Sequence, residues 1–332
     1  MSEGHTKERL RELQALPLER KIGFTAARIA EWHYHYHGQV YVAFSGGKDS
    51  TVLLYLARML FPDIRAVFVD TGLEYPEIKE FVKTFENVEI LRPKMNFKQV
   101  IDKYGYPVIG KEVATYINNG RKGSKLCLNA LGVIPNGEYT AKTGRVCNMI
   151  GGIYDRSKYQ YLLDAPFKIS ARCCDVMKKA PAKKYQRQTE TYPMIATMAE
   201  ESLLRKQNWI QHGCNAFDAK YPTSKPMSFW TEQDVLQYIK LKNIPIASVY
   251  GDVVESSNNG GLQCTGCRRT GCVFCLFGIM QDGVPNRIQR LAETHPKLYD
   301  YCLNKLGLKE VMDFIGVPYT PVIDLFNYQN MN

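Results

Sequence analysis

No stretch of this sequence approaches the roughly 20 consecutive apolar residues that a helix needs to cross a bilayer, so no membrane partner is expected. The N-terminal residues Met1 to Arg9 are polar and lack the apolar core of a secretory signal, which points to a cytoplasmic protein. There is no internal repeat, which argues against a solenoid, and no low-complexity tract. Histidine is sparse, with 6 in 332 residues, and neither His212 nor His295 has a sequence partner that would give it a role. Reducing conditions disfavour disulfides, so the 10 cysteines point to metal or redox work.

The chain is long enough for one large domain, or for a core domain with a smaller appendage, and to bury a core without covalent staples. Apolar residues make up 45% and charged residues 23%, ordinary values for a globular protein. The net charge of +10 favours polyanions such as nucleotides and nucleic acids. Lys178, Lys179, Lys183 and Lys184 cluster, and Arg268 and Arg269 sit among cysteines. A solvated basic surface accounts for these as well as a nucleic-acid face does.

The spacing of Leu10, Leu13, Leu16, Ile22, Ile29 and Trp32 predicts two N-terminal helices. A β-rich run from Gln39 to Phe44 precedes a helical pattern over Ser50 to Leu60, then a strand over Ile64 to Val69. Pro76 suits the first turn of a helix reaching about Phe85, and Val88 to Leu91 reads as a further strand. This alternation implies right-handed crossovers and an α/β fold: a parallel twisted sheet with helices on both faces, Rossmann-like. From about 105 to 166 a helical insertion over the carboxyl edge of the sheet is expected, with Ile117 to Gly123 as its clearest loop. A strand over Tyr192 to Thr197 and helices over Ala199 to Trp209, Trp230 to Lys242 and Arg287 to Leu306 follow, with Ser228 or Thr231 as the cap of the second of these helices. Ser256 to Gly261 reads as a loop. The expected organisation is N-terminal helices over 1–38, a nucleotide-binding α/β domain over 39–250, and a Cys-rich loop with a helical region over 251–332.

Between the first strand and its helix lie Ser45, Gly46, Gly47, Lys48, Asp49, Ser50 and Thr51. Open glycines let backbone N–H groups close around phosphate oxygens, and the helix N-terminus adds partial positive charge. Lys48 supplies a full charge, and Ser45, Ser50 and Thr51 supply hydroxyls. Asp49 would repel phosphate directly, so facing Mg²⁺ or bracing the loop suits it better. The spacing is not that of the P-loop, which needs four residues between its glycines.

This loop resembles the pyrophosphate loop of the ATP pyrophosphatase (PP-loop) superfamily. The run from Phe68 to Pro76 is similar to the second-strand motif of the phosphoadenosine phosphosulfate reductase family within it. Cys173 and Cys174, the stretch from Thr197 to Arg205, and that from Pro226 to Asp234 look like family segments in the family's order, so the resemblance runs roughly from Gln39 to Gly278. It implies that Asp70, Thr71 and Gly72 lie near an adenosine. Arg205, with Lys178, Arg268 and Arg269, becomes a candidate anion contact, against an equal case for a solvated surface. The family's iron–sulfur members hold a 4Fe–4S cluster with an adjacent cysteine pair and a distant C-x-x-C, which Cys173, Cys174, Cys272 and Cys275 match best. Zinc bound by Cys264, Cys267, Cys272 and Cys275, a cluster that uses Cys264 or Cys267, and no metal at all remain open.

The family's reductases attack with a cysteine in a C-terminal tail, yet no cysteine follows Cys302 here. The intact loop suits a leaving pyrophosphate. The leading expectation is therefore an ATP pyrophosphatase that adenylates an acceptor, with nucleic acid as the candidate acceptor, for sulfur transfer, with Lys48 and Asp49 as catalytic groups, Mg²⁺, and a cysteine desulfurase as sulfur donor. The alternatives are an adenylylsulfate or phosphoadenylylsulfate reductase whose nucleophile is Cys264 or Cys267, and a non-catalytic nucleotide-binding component of a larger assembly. An oligomer, if formed, is expected to be a homodimer.

Overall fold

The computed structural model describes residues 5–141, 143–256 and 260–321. Residues 257–259 of the loop expected over 256–261 and most of the C-terminal tail lie outside them. The elements up to residue 93 are α1 (Lys7–Ala15), α2 (Leu18–His35), β1 (Val40–Ala43), α3 (Lys48–Leu60), β2 (Arg65–Val69), α4 (Pro76–Lys83) and β3 (Val88–Leu91). Then come α5 (Phe97–Tyr104), β4 (Val108–Ile109), α6 (Lys111–Gly120), α7 (Lys125–Ala130) and α8 (Arg172–Cys174). From Ala180 the chain forms α9 (Ala180–Thr189), β5 (Tyr192–Met194), α10 (Leu203–His212), β6 (Asn215–Ala216), β7 (Thr223–Ser224), α11 (Glu232–Lys242), β8 (Val253–Glu255) and β9 (Leu262–Cys264). It ends with β10 (Leu276–Phe277), α12 (Arg287–Thr294), α13 (Pro296–Asp300) and α14 (Leu308–Ile315). No helix among the described residues is long and apolar enough to cross a membrane.

These elements sort into two units, one of Met1–Pro93 with Ala180–Thr270, the other of Lys94–Lys179 with Gly271–Asn332. The first is an α/β unit built on a six-stranded sheet of order β3-β2-β1-β5-β7-β6. Every pairing is parallel except that of β6 on β7 at the edge. The register sets Val42 beside Ala66 and Met194, and all three are fully buried, as a strand covered on both faces requires. From β1 the chain builds outward to β2 and β3, then returns to place β5 on the other side. The turn after β1 is therefore the topological switch point, where ligands bind beyond the carboxyl ends of strands.

Helix boundaries follow their caps. α10 starts at Leu203, not Ala199, because the Ser202 hydroxyl accepts the Arg205 N–H, leaving Ala199–Glu201 as a 3-10 turn. α11 starts where Thr231 and Asp234 form a reciprocal capping box, so Thr231 and not Ser228 is the cap. Asp234 has a second partner: its carboxylate accepts from the Lys21 ammonium of α2 at 2.6 Å, with both residues buried. Trp230, fully buried, donates from its indole N–H to the Thr25 hydroxyl at 2.8 Å. Together these bonds tie α2 to the start of α11.

The second unit holds the stretch expected as a helical insertion. It contains α6, α7 and a 3-10 segment, Ser157–Asp164. The loop expected over Ile117 to Gly123 needs correcting, since Ile117 to Gly120 form the last turn of α6, with Ile117 fully buried. Ile117 continues the buried face that Val113 and Ala114 begin, and packing of that face carries the helix on through the polar run. β4 and β10 form a short parallel pair, and Phe97 of α5 meets Phe274 at 4.4 Å between ring centroids. Gly105 has a φ of 102°, and a Cβ there would lie 2.3 Å from the Lys168 carbonyl carbon, so only glycine lets Tyr106 bridge to Ile169. The last helical region, expected as one run from Arg287 to Leu306, is broken at His295 into α12 and α13.

Replacing Lys21 by Met keeps the volume but leaves the Asp234 carboxylate buried without its counter-charge. The expected cost is about 3 kcal/mol of stability, read as a lower urea midpoint for the first unit.

Candidate active site

The turn from β1 into α3 is set by Gly46, whose φ is 71° and whose Cβ, if present, would lie 2.8 Å from methyl carbons of Ile78 and Val82 on α4. A side chain would be strained there and would also clash. Gly47 is the N-cap of α3, and Lys48 and Asp49 begin the helix. The Ser50 and Thr51 hydroxyls both donate to the Gly47 carbonyl, at 2.9 and 3.0 Å, and Ser50 Oγ accepts the Ser45 N–H at 3.1 Å. Both side chains thus brace the loop from inside, while Ser45 is exposed.

Lys48 is 3% exposed. Its ammonium lies 3.3 Å from Asp49 Oδ1, 3.4 Å from Glu232 Oε1 and 3.4 Å from the Arg268 carbonyl oxygen. Burial opposes its charge, but Asp49, Glu232 and Tyr250 outweigh that and its pKa is raised. The Lys48 N–H donates to the Tyr250 phenol oxygen at 3.3 Å, and that oxygen also lies 2.5 Å from Thr270 Oγ1. A phenol oxygen therefore occupies the acceptor place that the amide of the first helical residue would offer an anion. The loop is covered by Tyr250 and Thr270, neither of which the sequence reading singled out. The only signal was an aromatic residue next to Gly251 with no other assignment.

Three arginines surround the loop. Arg268 binds Glu232 through two nitrogens, at 2.7 and 3.1 Å. Arg205 and Arg269 both pair with the single carboxylate of Glu201. Burial lowers the Arg205 pKa, its neighbour Arg269 lowers it further, and Asp49 opposes both, which puts Arg205, Arg269 and Asp49 in one electrostatic neighbourhood. Arg205, Arg268 and Arg269, which the sequence offered as anion contacts, are thus gathered at this loop. Glu201 and Glu232, which hold them, lie inside the family-like stretches Thr197 to Arg205 and Pro226 to Asp234 and carry no sequence signal of their own. For Glu232, burial pushes the pKa up, but the hydrogen bonds from Arg268 and the nearby Lys48 charge bring it below the usual range.

Beyond β2, Asp70 accepts the Gly72 N–H at 3.1 Å and pairs with Lys79 at 2.9 Å. Burial alone would raise its pKa, but Lys79, the Gly72 amide and Arg92 lower it overall. The Thr71 hydroxyl donates to Glu74 at 2.7 Å. Asp70, Thr71 and Gly72 form a tight turn at the carboxyl end of the strand next to β1. Cys264 and Cys267 also belong to this unit. Burial raises the Cys264 thiol pKa, and Lys48, Glu232, Asp49 and Cys267 are its charged neighbours.

Cys173, Cys174, Cys272 and Cys275 belong to the second unit. The Cys173 thiol donates to Cys174, which raises the pKa of Cys173 and helps to push Cys174 down to about 6. Burial opposes the shift at Cys174, while Lys111, Lys178 and Lys179 favour its thiolate. Cys272 and Cys275 are close enough to raise Cys173 further, and burial raises Cys275. No disulfide forms among the cysteines. Among the described residues no three or more His, Cys, Asp or Glu side chains close on one metal position. The donor chemistry nevertheless fits a thiolate-ligated iron–sulfur group: Cys272 and Cys275 act electrostatically on Cys173, and the lysines near Cys174 would offset the charge of ligated thiolates.

A strand-to-helix phosphate loop at the switch point of a mostly parallel sheet defines a nucleotide-binding α/β protein of the PP-loop type. The family model for the phosphoadenosine phosphosulfate reductase domain matches residues 39–116 and 154–276, more than half of the chain, and the protein belongs to that family within the PP-loop superfamily. The family is one of nucleotide-binding, sulfur-related enzymes. Among curated proteins, the chain is similar to the uncharacterized protein MJ0973 of Methanocaldococcus jannaschii, 24% identical over 78% of this chain and 45% of that protein. A second uncharacterized protein of the same organism, MJ0066, is 45% identical over 20% of this chain and 15% of its own length. The chain thus spans less than half the length of these relatives. Among solved structures, a phosphoadenylyl-sulfate reductase from Candida auris in complex with phosphate aligns over 73% of this chain and 90% of its own, at 12% identity and a TM-score of 0.37.

Because the Glu232 pKa is depressed in the folded state, its stabilising contribution is present above the ordinary carboxylate range and is lost as pH falls through its folded value. Glu232→Gln should therefore lower the melting temperature at neutral pH, by an amount that shrinks as the pH falls below about 4.

Proposed function

We propose that the protein is an ATP pyrophosphatase that activates an acceptor for sulfur transfer. The observation that supports this is the complete loop itself: Gly46 in its left-handed turn, the start of α3, and the Lys48 ammonium with Arg205 and Arg269 nearby. Such a set suits the outer phosphates of ATP, since fixed donors and cations stabilise charge that grows on departing pyrophosphate. An acceptor oxygen attacks the α-phosphorus in line, and the bond to pyrophosphate breaks with its electron pair on the leaving group. AMP is then released when a sulfur nucleophile replaces the activated oxygen.

In this reading Lys48 holds the β- and γ-phosphates, and Ser45, Gly46 and Gly47 supply loop contacts. Ser50 and Thr51 keep the loop's shape, and Asp49 faces the metal side of the phosphates. Asp70, Thr71 and Gly72 border the adenosine. Arrival of a phosphate oxygen requires Tyr250 to give up the Lys48 amide. Mg²⁺, when bound, would neutralise phosphate charge. Cys173, Cys174, Cys272 and Cys275 would hold a 4Fe–4S cluster, which would supply sulfur-binding or redox chemistry. The sulfur donor would be a cysteine desulfurase, and the basic charge of the chain fits a nucleic-acid acceptor.

A second reading has one observation of its own. Cys264, in the electrostatic reach of Lys48 and Asp49, would serve as the nucleophile of a sulfonucleotide reductase. Its raised thiol pKa counts against it, because the thiolate is the attacking form.

Anaerobically purified protein incubated with ATP, Mg²⁺ and candidate acceptors should release pyrophosphate, and Lys48→Ala should lower that rate by about a hundredfold or more while iron content stays unchanged. Sulfite release from adenylylsulfate without ATP would instead select the reductase. Cys272→Ala or Cys275→Ala should reduce iron per chain, and unchanged iron in both would remove these residues as ligands.

A further inference from the structure

We propose that the second unit carries a binding site for single-stranded nucleic acid, in a cavity of about 760 Å³ between the ends of α5 and α6 and the segment leading into α8. Its size lies within the roughly 300–1,000 Å³ range of ligand sites. Lys103, Lys122, Lys168 and Arg172 line it, from three separate stretches of chain. None of these four is in an ion pair among the described residues. The one lining carboxylate, Asp175, is already paired with Lys179 at 2.9 Å. Arg121 also reaches the wall, but its guanidinium is spent on the carbonyls of Leu162, Leu163, Ala165 and Phe167 and serves the fold. The cavity is left with a surplus of exposed cations and no internal counter-charge, which calls for an anionic occupant.

The rest of the wall narrows the class of anion. The Tyr104 ring has the Lys103 ammonium 5.4 Å and the Arg172 guanidinium 5.6 Å from its centre. Asn118 and Asn119 add side-chain amides, and Ser170 a hydroxyl. An aromatic face flanked by cations, with amides beside it, is the arrangement on which a base stacks while its phosphates meet lysine and arginine. A concave site takes an unpaired base, whereas the closed grooves of a duplex keep base faces stacked away from such a ring. Arg172 immediately precedes Cys173 and Cys174 in α8, so a strand seated here would lie beside the cysteine pair in the chain. This gives the acceptor of the proposed reaction a chemical class and a seat. It rests on that reaction only for the fate of the bound strand, not for the binding.

The test uses the full chain without ATP and a fluorescein-labelled oligothymidylate of about 12 nucleotides, read by anisotropy across a potassium chloride series. The double variant Lys122→Gln, Arg172→Gln should bind about tenfold more weakly or worse, and its log–log salt slope should shrink by about 1.4, as expected for two lost phosphate contacts. The control pair Lys242→Gln, Lys309→Gln carries the same charge change at other exposed positions and should alter neither. Tyr104→Leu should weaken binding by roughly tenfold with the salt slope intact, the signature of lost stacking. Should the double variant melt early, Lys103→Gln alone takes its place, with weaker binding and a salt slope smaller by about 0.7 expected for one lost phosphate contact. The proposal is overturned if the cavity variants behave like the control pair, if a duplex of the same length binds as tightly, or if free AMP competes as well as the strand. Pyrophosphate release from ATP with Mg²⁺ and the candidate acceptors is measured in parallel. Its absence alongside intact strand binding would sink the reading of the phosphate loop and leave this site standing.

Discussion

A buried ammonium needs counter-charges, and most of the first unit's loop architecture follows from how Lys48 obtains them. Left alone at 3% exposure, its charge would be several kcal/mol out of balance. Asp49 is supplied by the loop itself, but Glu232 comes from far along the chain. Glu232 reaches it because α11 starts at one defined residue, and that start is held by Thr231, Asp234 and the buried Lys21 of α2. A bond between α2 and α11 therefore helps to decide the electrostatics of a loop between β1 and α3.

The same loop is closed in a way that bears on its use. Tyr250 places its phenol oxygen on the Lys48 amide, and Thr270 holds that oxygen at 2.5 Å. The oxygen is neutral and weakly accepting compared with a phosphate, so it is a natural group to be displaced by one. The exchange would leave Lys48 with Asp49 and Glu232 still beside it. The arginines then matter as a reserve of charge: two of them share Glu201, so an arriving anion finds cations that are only half neutralised.

The cysteines show how far a pattern of residues can be read before its spatial order is known. Cys264, Cys267, Cys272 and Cys275 look like one cluster in the sequence, yet they divide between the two units, two with the phosphate loop and two with Cys173 and Cys174. The lysine run that begins at Lys178 reads equally well as a solvated surface, but Lys178 and Lys179, with Lys111, act on the Cys174 thiol. Basic side chains beside a thiol lower its pKa through space, and sequence distance gives no measure of that.

The sequence by itself determined the strand-loop-helix unit at Gly46 to Lys48, the parallel α/β sheet and the family, because glycine conformation, helix capping and apolar periodicity are local properties written within a few residues of one another. It also narrowed the cap of the helix ending at Lys242 to Ser228 or Thr231 for the same reason. Only the tertiary structure decided that Tyr250 and Thr270 cover the loop, that Glu201 and Glu232 hold its arginines, that α6 runs on to Gly120, and which cysteines are neighbours. Those outcomes depend on distances between residues up to about two hundred positions apart, set by strand order and by buried charges finding partners, and no local pattern encodes them.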